Sequence, residues 1–215
     1  MSSIAVIDYG MGNLRSVTKA LEHVADGVPV VLTADPALIG VASHVVFPGQ
    51  GAARECMAEI NRRGLAAAVR EAAASKPFLG ICMGLQVLMT HSDENEGIEC
   101  LEFIPGQVRR FASPLHDPVT QARLKVPQMG WNQVHQSQAH PLWKDIAQDS
   151  RFYFVHSYYV APDSQDLVAG RTVYGHSYAS VLATGSVFAV QFHPEKSQRA
   201  GLTLLANFLR WNGRA

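Results

Sequence analysis

The chain has 215 residues, 47% of them hydrophobic and 17% charged, a balance expected of one globular domain spanning residues 1–215 with a full core. Its 18 basic and 18 acidic side chains cancel, so it lacks the basic face by which nucleic-acid binders are recognised, and no apolar run is long enough to cross a membrane. Three cysteines without framework spacing (Cys56, Cys82, Cys100), and a first strand that begins with no basic or apolar leader before it, lead to the expectation of a soluble cytoplasmic protein.

Residues 4–8 read as a buried strand. Residues 14–24 read as a helix, from the spacing of Leu14, Val17, Leu21 and Val24. Residues 29–33 and 44–47 are further strands, with a short helical or loop segment between them. Residues 52–73, rich in Ala, Arg and Glu, read as helix broken near Gly64. Residues 78–81 form an apolar strand, and residues 85–89 are expected to follow it as helix. Short apolar strands alternating with helices indicate a parallel sheet covered on both faces. Beyond Gly106, residues 107–111, 133–135, 152–159, 167–174 and 179–190 are strand-like with turn signals between them, and residues 202–211 close the chain as helix. The expected fold is α/β: an open, twisted, mostly parallel sheet flanked by helices, with mixed or antiparallel strands in the C-terminal half.

Three segments carry chemistry. Gly80-Ile81-Cys82-Met83-Gly84 places a thiol on a strand-to-helix turn so tight that its flanking residues must be small, the pattern of a nucleophile elbow. A helix N-terminus beneath the sulfur favours thiolate, the reactive form. A lone cysteine is more often a core residue; both glycines in register shift the balance to a nucleophile. Val187-Phe188-Ala189-Val190-Gln191-Phe192-His193-Pro194-Glu195 delivers a histidine to a strand end. There, in extended backbone, Glu195 lies on the same side two residues later and can orient the ring as His193 takes the Cys82 proton. Val45-Val46-Phe47-Pro48-Gly49-Gln50-Gly51 ends a strand in a turn whose N–H groups at Gln50 or Gly51, with that of Met83, can hold an oxyanion.

Together these segments resemble the class I (triad) glutamine amidotransferases, and the runs Asp8-Tyr9-Gly10-Met11-Gly12-Asn13, Met129-Gly130-Trp131-Asn132 and His156-Ser157-Tyr158-Tyr159 sharpen the likeness to the glutaminase subunits of imidazole glycerol phosphate synthases. The resemblance implies hydrolysis of L-glutamine by Cys82, His193 and Glu195, with no metal and no cofactor. It implies that Gln86 holds the bound glutamine, Glu94 pairs with its α-ammonium group, and backbone groups of Ser157 and Tyr158 take its carboxylate. It also implies a partner, a (β/α)₈-barrel cyclase subunit that receives the ammonia, with Asn13, Trp131 and Lys196 near the contact. Gln128 departs from the pattern, standing where many such relatives have histidine; the expected consequence is an altered surface contact.

Overall fold

In the computed structural model, which describes residues 2–214, the N-terminal half runs β1 (Ile4–Ile7), α1 (Leu14–Val24), β2 (Val30–Thr33), α2 (Pro36–Val41), β3 (His44–Gly49), α3 (Ala53–Arg62), α4 (Ala66–Ser75), β4 (Phe78–Cys82) and the single turn α5 (Met83–Gln86). There follow β5 (Met89–Ser92), β6 (Ile98–Glu99), β7 (Ile104–Arg110), β8 (Leu115–His116), β9 (Arg123–Leu124), β10 (Gln128–Gln133) and β11 (His135–Gln136). The chain finishes with β12 (Arg151–His156), β13 (Tyr158–Pro162), β14 (Val168–Tyr174), β15 (His176–Thr184), β16 (Val187–Val190) and α6 (Gln198–Arg210).

Strands β2, β1, β3, β4 and β16 pair side by side in parallel. From β16 the sheet turns antiparallel through β15, β13 and β7, and then reaches β5 and β6. Strands β10 and β12 form a separate antiparallel ribbon. In the parallel half every other residue faces the same side. Ala5, Ile7, Phe47, Phe78 and Ala189 pack with Cys56 and Ile60 of α3 and Val69 of α4. Ile4, Val6, Val46, Leu79 and Val190 pack with Val17 and Leu21 of α1 and Leu204 and Phe208 of α6. Strands buried on both faces need no polar alternation, which is why they read as unbroken apolar runs. Full burial of a side chain such as Leu204 or Phe208 contributes about 1.5–3 kcal/mol.

The parallel half and the closing helix match expectation, and the break at Gly64 separates α3 from α4 as read. Four segments differ, the first being 133–135, which spans the end of β10 and the start of β11 with Val134 between them. The helix expected over residues 85–89 stops at Gln86, and Met89 already lies in β5 beside Ile104; an apolar run this short takes whichever partner is within reach. The stretch 152–159 is two strands, because at Ser157 the chain leaves the β10 ribbon and joins β7. The stretch 179–190 is a hairpin, with Gly185 at φ 53 turning β15 into β16.

Two glycines make opposite predictions. A Cβ on Gly84 would lie 1.8 Å from the Phe47 carbonyl oxygen, whereas one on Gly40, inside α2, would meet nothing within 4 Å. Gly84→Ala is expected to lower stability by about 1–3 kcal/mol or more, and Gly40→Ala to raise it by about 0.4–1 kcal/mol, as read from thermal or urea unfolding.

Candidate active site

Parallel pairing assembles the site. Cys82 ends β4, Gly49 ends β3 on one side of it in register with Cys82, and the strand on the other side, β16, runs on to His193. Segments far apart in the chain thus meet at the carboxyl ends of three adjacent strands, where open α/β sheets bind ligands. Cys82 itself has φ 53 and ψ −107, a conformation that costs a non-glycine residue about 1–3 kcal/mol and persists only where the surroundings impose it. The surroundings do so by contact. Gly84 lies against the Phe47 carbonyl, Gly80 against Ala189 and the Gly84 carbonyl, and Gly49 against the Tyr9 hydroxyl and Met83. Cys82 is only 6% exposed, so the elbow holds the thiol in the wall of a cavity rather than in bulk water.

His193 and Glu195 lie behind the thiol. His193 Nδ1 is 2.9 Å from Glu195 Oε1, with the two side chains 2% and 1% exposed. The carboxylate accepts at Nδ1, and Nε2 has no hydrogen-bond partner among the described residues. Burial acts to lower the basicity of His193, but the neighbouring Cys82 and Glu195 outweigh it and push the ring up to about 10. The backbone around the ring is clamped: His193 N–H donates to the Tyr153 carbonyl at 2.9 Å, and Ser197 Oγ donates to the His193 carbonyl at 2.6 Å while accepting from Tyr153 N–H at 3.0 Å.

The other histidine in the cavity, His156, is a different kind of group. Burial, opposed by its bond to the Tyr158 carbonyl, brings it down to about 4, and both its nitrogens are engaged. Nδ1–H donates to the Tyr158 carbonyl at 2.7 Å, which leaves Nε2 to accept from the Tyr178 hydroxyl at 3.2 Å. Gln128 Oε1 also lies 3.0 Å from that hydroxyl while its Nε2 is unpartnered. One hydroxyl proton cannot serve two acceptors, and turning the amide over lets Gln128 donate to Tyr178 while the hydroxyl donates to His156. Gln128 is therefore 2% exposed and part of a buried network; the altered surface contact expected for it does not occur. The remaining thiols are equally distinct. Burial pushes Cys56 up to about 11 and Cys100 up to about 12, so both persist as neutral thiols. Cys56 accepts from Tyr9 at 3.7 Å and donates to the Gln50 carbonyl at 3.6 Å, which pins the turn after β3.

A cavity of about 410 Å³ opens on these groups, lined by Gln50, Gly51, Cys82, Met83, Gln86, Glu94, His156, Ser157, Tyr158, His193 and Lys196 among others. The expected oxyanion and glutamine-contact residues thus share one chamber. Glu195 stands behind His193, in a narrow crevice lined also by Asn13. Gln86 spends its amide donors on the Tyr158 carbonyl at 3.2 Å and Gln191 Oε1 at 3.0 Å, leaving its own oxygen for the chamber. Glu94 Oε2 accepts from Ala53 N–H at 2.6 Å at the start of α3, which fixes its carboxylate at the rim. Trp131 lies outside the chamber, 39% exposed and edge-on to Tyr153, the ring over which Lys196 Nζ sits at 5.9 Å. Two groups escaped the sequence reading, Gln191 beside the sulfur and Ser197 under His193. No local signal marks either: β16 ends at Val190, so strand alternation does not reach Gln191.

The chain matches the family described as "Glutamine amidotransferase class-I" over residues 5–211. It is 59% identical over 213 residues to "Imidazole glycerol phosphate synthase subunit HisH" of Nitrosococcus oceani, covering 99% of each chain. It is 56% identical over 214 residues to a protein of Pseudomonas aeruginosa named subunit HisH 1, covering 100% of this chain and 99% of that one. Solved structures are similar in fold at low identity. One described as "Crystal structure of glutamine amidotransferase" has TM-score 0.72 at 16% identity, covering 97% of this chain and 98% of that one. The PurLQS structure from Thermotoga maritima has TM-score 0.72 at 18% identity, covering 98% and 99%. With the match running from β1 to the residue after α6, the chain belongs to the class-I glutamine amidotransferase family.

Proposed function

We propose that this protein hydrolyses the side-chain amide of L-glutamine to glutamate and ammonia. The ammonia passes to the cyclase subunit of an imidazole glycerol phosphate synthase, which forms imidazole glycerol phosphate and aminoimidazole carboxamide ribotide in histidine biosynthesis. The observation that carries the chemistry is the buried His193–Glu195 pair at 2.9 Å behind a strained elbow thiol. Relatives that share the chain's full length and carry the HisH name support this acceptor; the second reading is a glutaminase serving a different synthase.

Cys82 attacks the amide carbon, and Glu195 holds the imidazole so that Nε2 faces the reaction. The C–N bond breaks as His193 delivers a proton to the departing ammonia, leaving a glutamyl thioester. Water, deprotonated by His193, then cleaves the thioester and restores the thiol. Backbone N–H groups of Gln50 or Gly51 and of Met83 take the oxyanion. The Gln86 oxygen and the Glu94 carboxylate receive the polar end groups of glutamine, with Ser157 and Tyr158 at its carboxylate. Asn13, Trp131 and Lys196 face the cyclase subunit, and the whole chain works as one cytoplasmic domain. Among the described residues no helix is long and apolar enough to cross a membrane.

Glutamate release should rise strongly when the cyclase subunit and its ribotide ligand are added, and Cys82→Ala should lower it at least about 10³-fold. Strong release without the partner would keep the chemistry and reopen the acceptor; none under any condition would sink the glutaminase reading. Glu195→Gln is expected to lower kcat by about 10²–10⁴-fold, because an amide can hold the wrong imidazole tautomer. The same variant tests linkage. His193 is raised from 6.5 to about 10 in the folded state, so its pairing stabilises the protein fully below pH 6.5 and the stabilisation is lost as pH rises through about 10. The gap in thermal midpoint between wild type and Glu195→Gln should therefore be wide near pH 6 and shrink toward pH 10.

A further inference from the structure

We propose that Gln191 is a positioning residue for this reaction, its one buried amide holding both the Cys82 sulfur and the substrate-binding Gln86. The inference rests on the glutaminase reading and deepens it. Gln191 is 0% exposed. Its Nε2 donates to Cys82 Sγ at 3.7 Å, and its Oε1 accepts from Gln86 Nε2 at 3.0 Å. Its own backbone N–H donates to the Ser180 carbonyl on β15 at 2.9 Å, so the amide hangs from the sheet rather than from a loop.

A primary amide is suited to the place because one end donates and the other accepts. An N–H aimed at sulfur favours thiolate over thiol, since the bond is stronger to the charged form. Being neutral, it does this without disturbing the His193–Glu195 balance. The same amide, through its oxygen, fixes which end of Gln86 faces the chamber. Nucleophile and substrate contact are thereby set relative to each other by a single rigid group. The titratable groups around the sulfur are His193 with Glu195 behind it, Tyr9 from β1 and Cys56 from α3, with Glu94, His156 and Lys196 across the chamber. Burial keeps Tyr9 and Cys56 neutral, so His193 supplies the charge and Gln191 the hydrogen bond.

The test compares the intact wild-type chain with Gln191→Leu and Gln191→Glu. Alkylation of Cys82 by iodoacetamide is followed against pH by mass spectrometry, and kcat and KM for glutamate release are measured with the cyclase subunit present. In Gln191→Leu alkylation of Cys82 should slow and kcat should fall, each about 10- to 100-fold, the worth of a hydrogen bond to a charged group. Gln191→Glu keeps the acceptor for Gln86 but sets a carboxylate against the thiolate. It should show the same slowing of alkylation with KM closer to wild type, and it preserves side-chain size if the leucine variant fails to fold. Alkylation profiles that coincide with wild type in the variants, with only thermal stability reduced, would overturn the proposal. Alkylation requires no glutamine, so a wild-type chain that releases no glutamate sinks the glutaminase reading while the profiles still judge Gln191.

Discussion

The contact on which the site depends is the approach of the first turn of α5 to the end of β3, where Gly84 sits against the Phe47 carbonyl with no room for a Cβ. That approach is possible only because β3 and β4 are parallel neighbours whose ends are level, Gly49 opposite Cys82. It forces Cys82 into a left-handed conformation at the end of a buried strand. The chain cannot relieve this strain locally, because Gly49 is packed almost as tightly and Gly80 also has close neighbours. The packing of the whole parallel half therefore holds a reactive side chain in a geometry that it would not adopt alone.

Electrostatics follows from the same placement. His193 and Glu195 are nearly without solvent contact, and a lone charge there would be costly. Each is tolerable because the other is present and because the thiol lies at the far side of the ring. Burial and proximity act in opposite directions on His193, and proximity wins. In His156, which lines the same chamber, burial meets no counter-charge and wins instead. Two histidines in one cavity thus take different charge states, which separates the proton carrier from a structural hydrogen-bonding group.

A second layer of polar side chains holds the first. Gln128, Tyr178 and His156 form one chain of hydrogen bonds ending on the Tyr158 carbonyl, and Gln86 and Gln191 continue it to the sulfur. These groups come from β10, β15, β12, β13, α5 and the segment after β16. The antiparallel half of the molecule is thereby mechanically connected to the nucleophile on the parallel half. Buried networks of this kind specify geometry when every member is satisfied.

Much of this was legible in the residues themselves. The apolar runs of β1, β3, β4 and β16 and the two glycines around Cys82 impose a local conformation, because glycine and strand alternation act within a few bonds. The His-Pro-Glu spacing pairs Glu195 with His193 as expected, but through a short 3-10 turn at Pro194–Lys196 rather than extended backbone. These features sufficed to single out Cys82, His193, Glu195 and the turn after β3, which the structure brings together. What they left open depends on which strands become neighbours. The end of α5 at Gln86 was decided by β5 pairing with β7, the break at Ser157 by a change of sheet partner, and the burial of Gln128 by Tyr178 arriving from β15. The roles of Gln191 and Ser197 belong to the same class. A glutamine before Phe-His-Pro-Glu carries no local signal, and only the parallel pairing of β16 with β4 brings its amide to the thiol. Local sequence determined the reactive groups and the turns that carry them; tertiary structure decided their partners, because hydrogen bonds and desolvation depend on distances that only the folded chain creates.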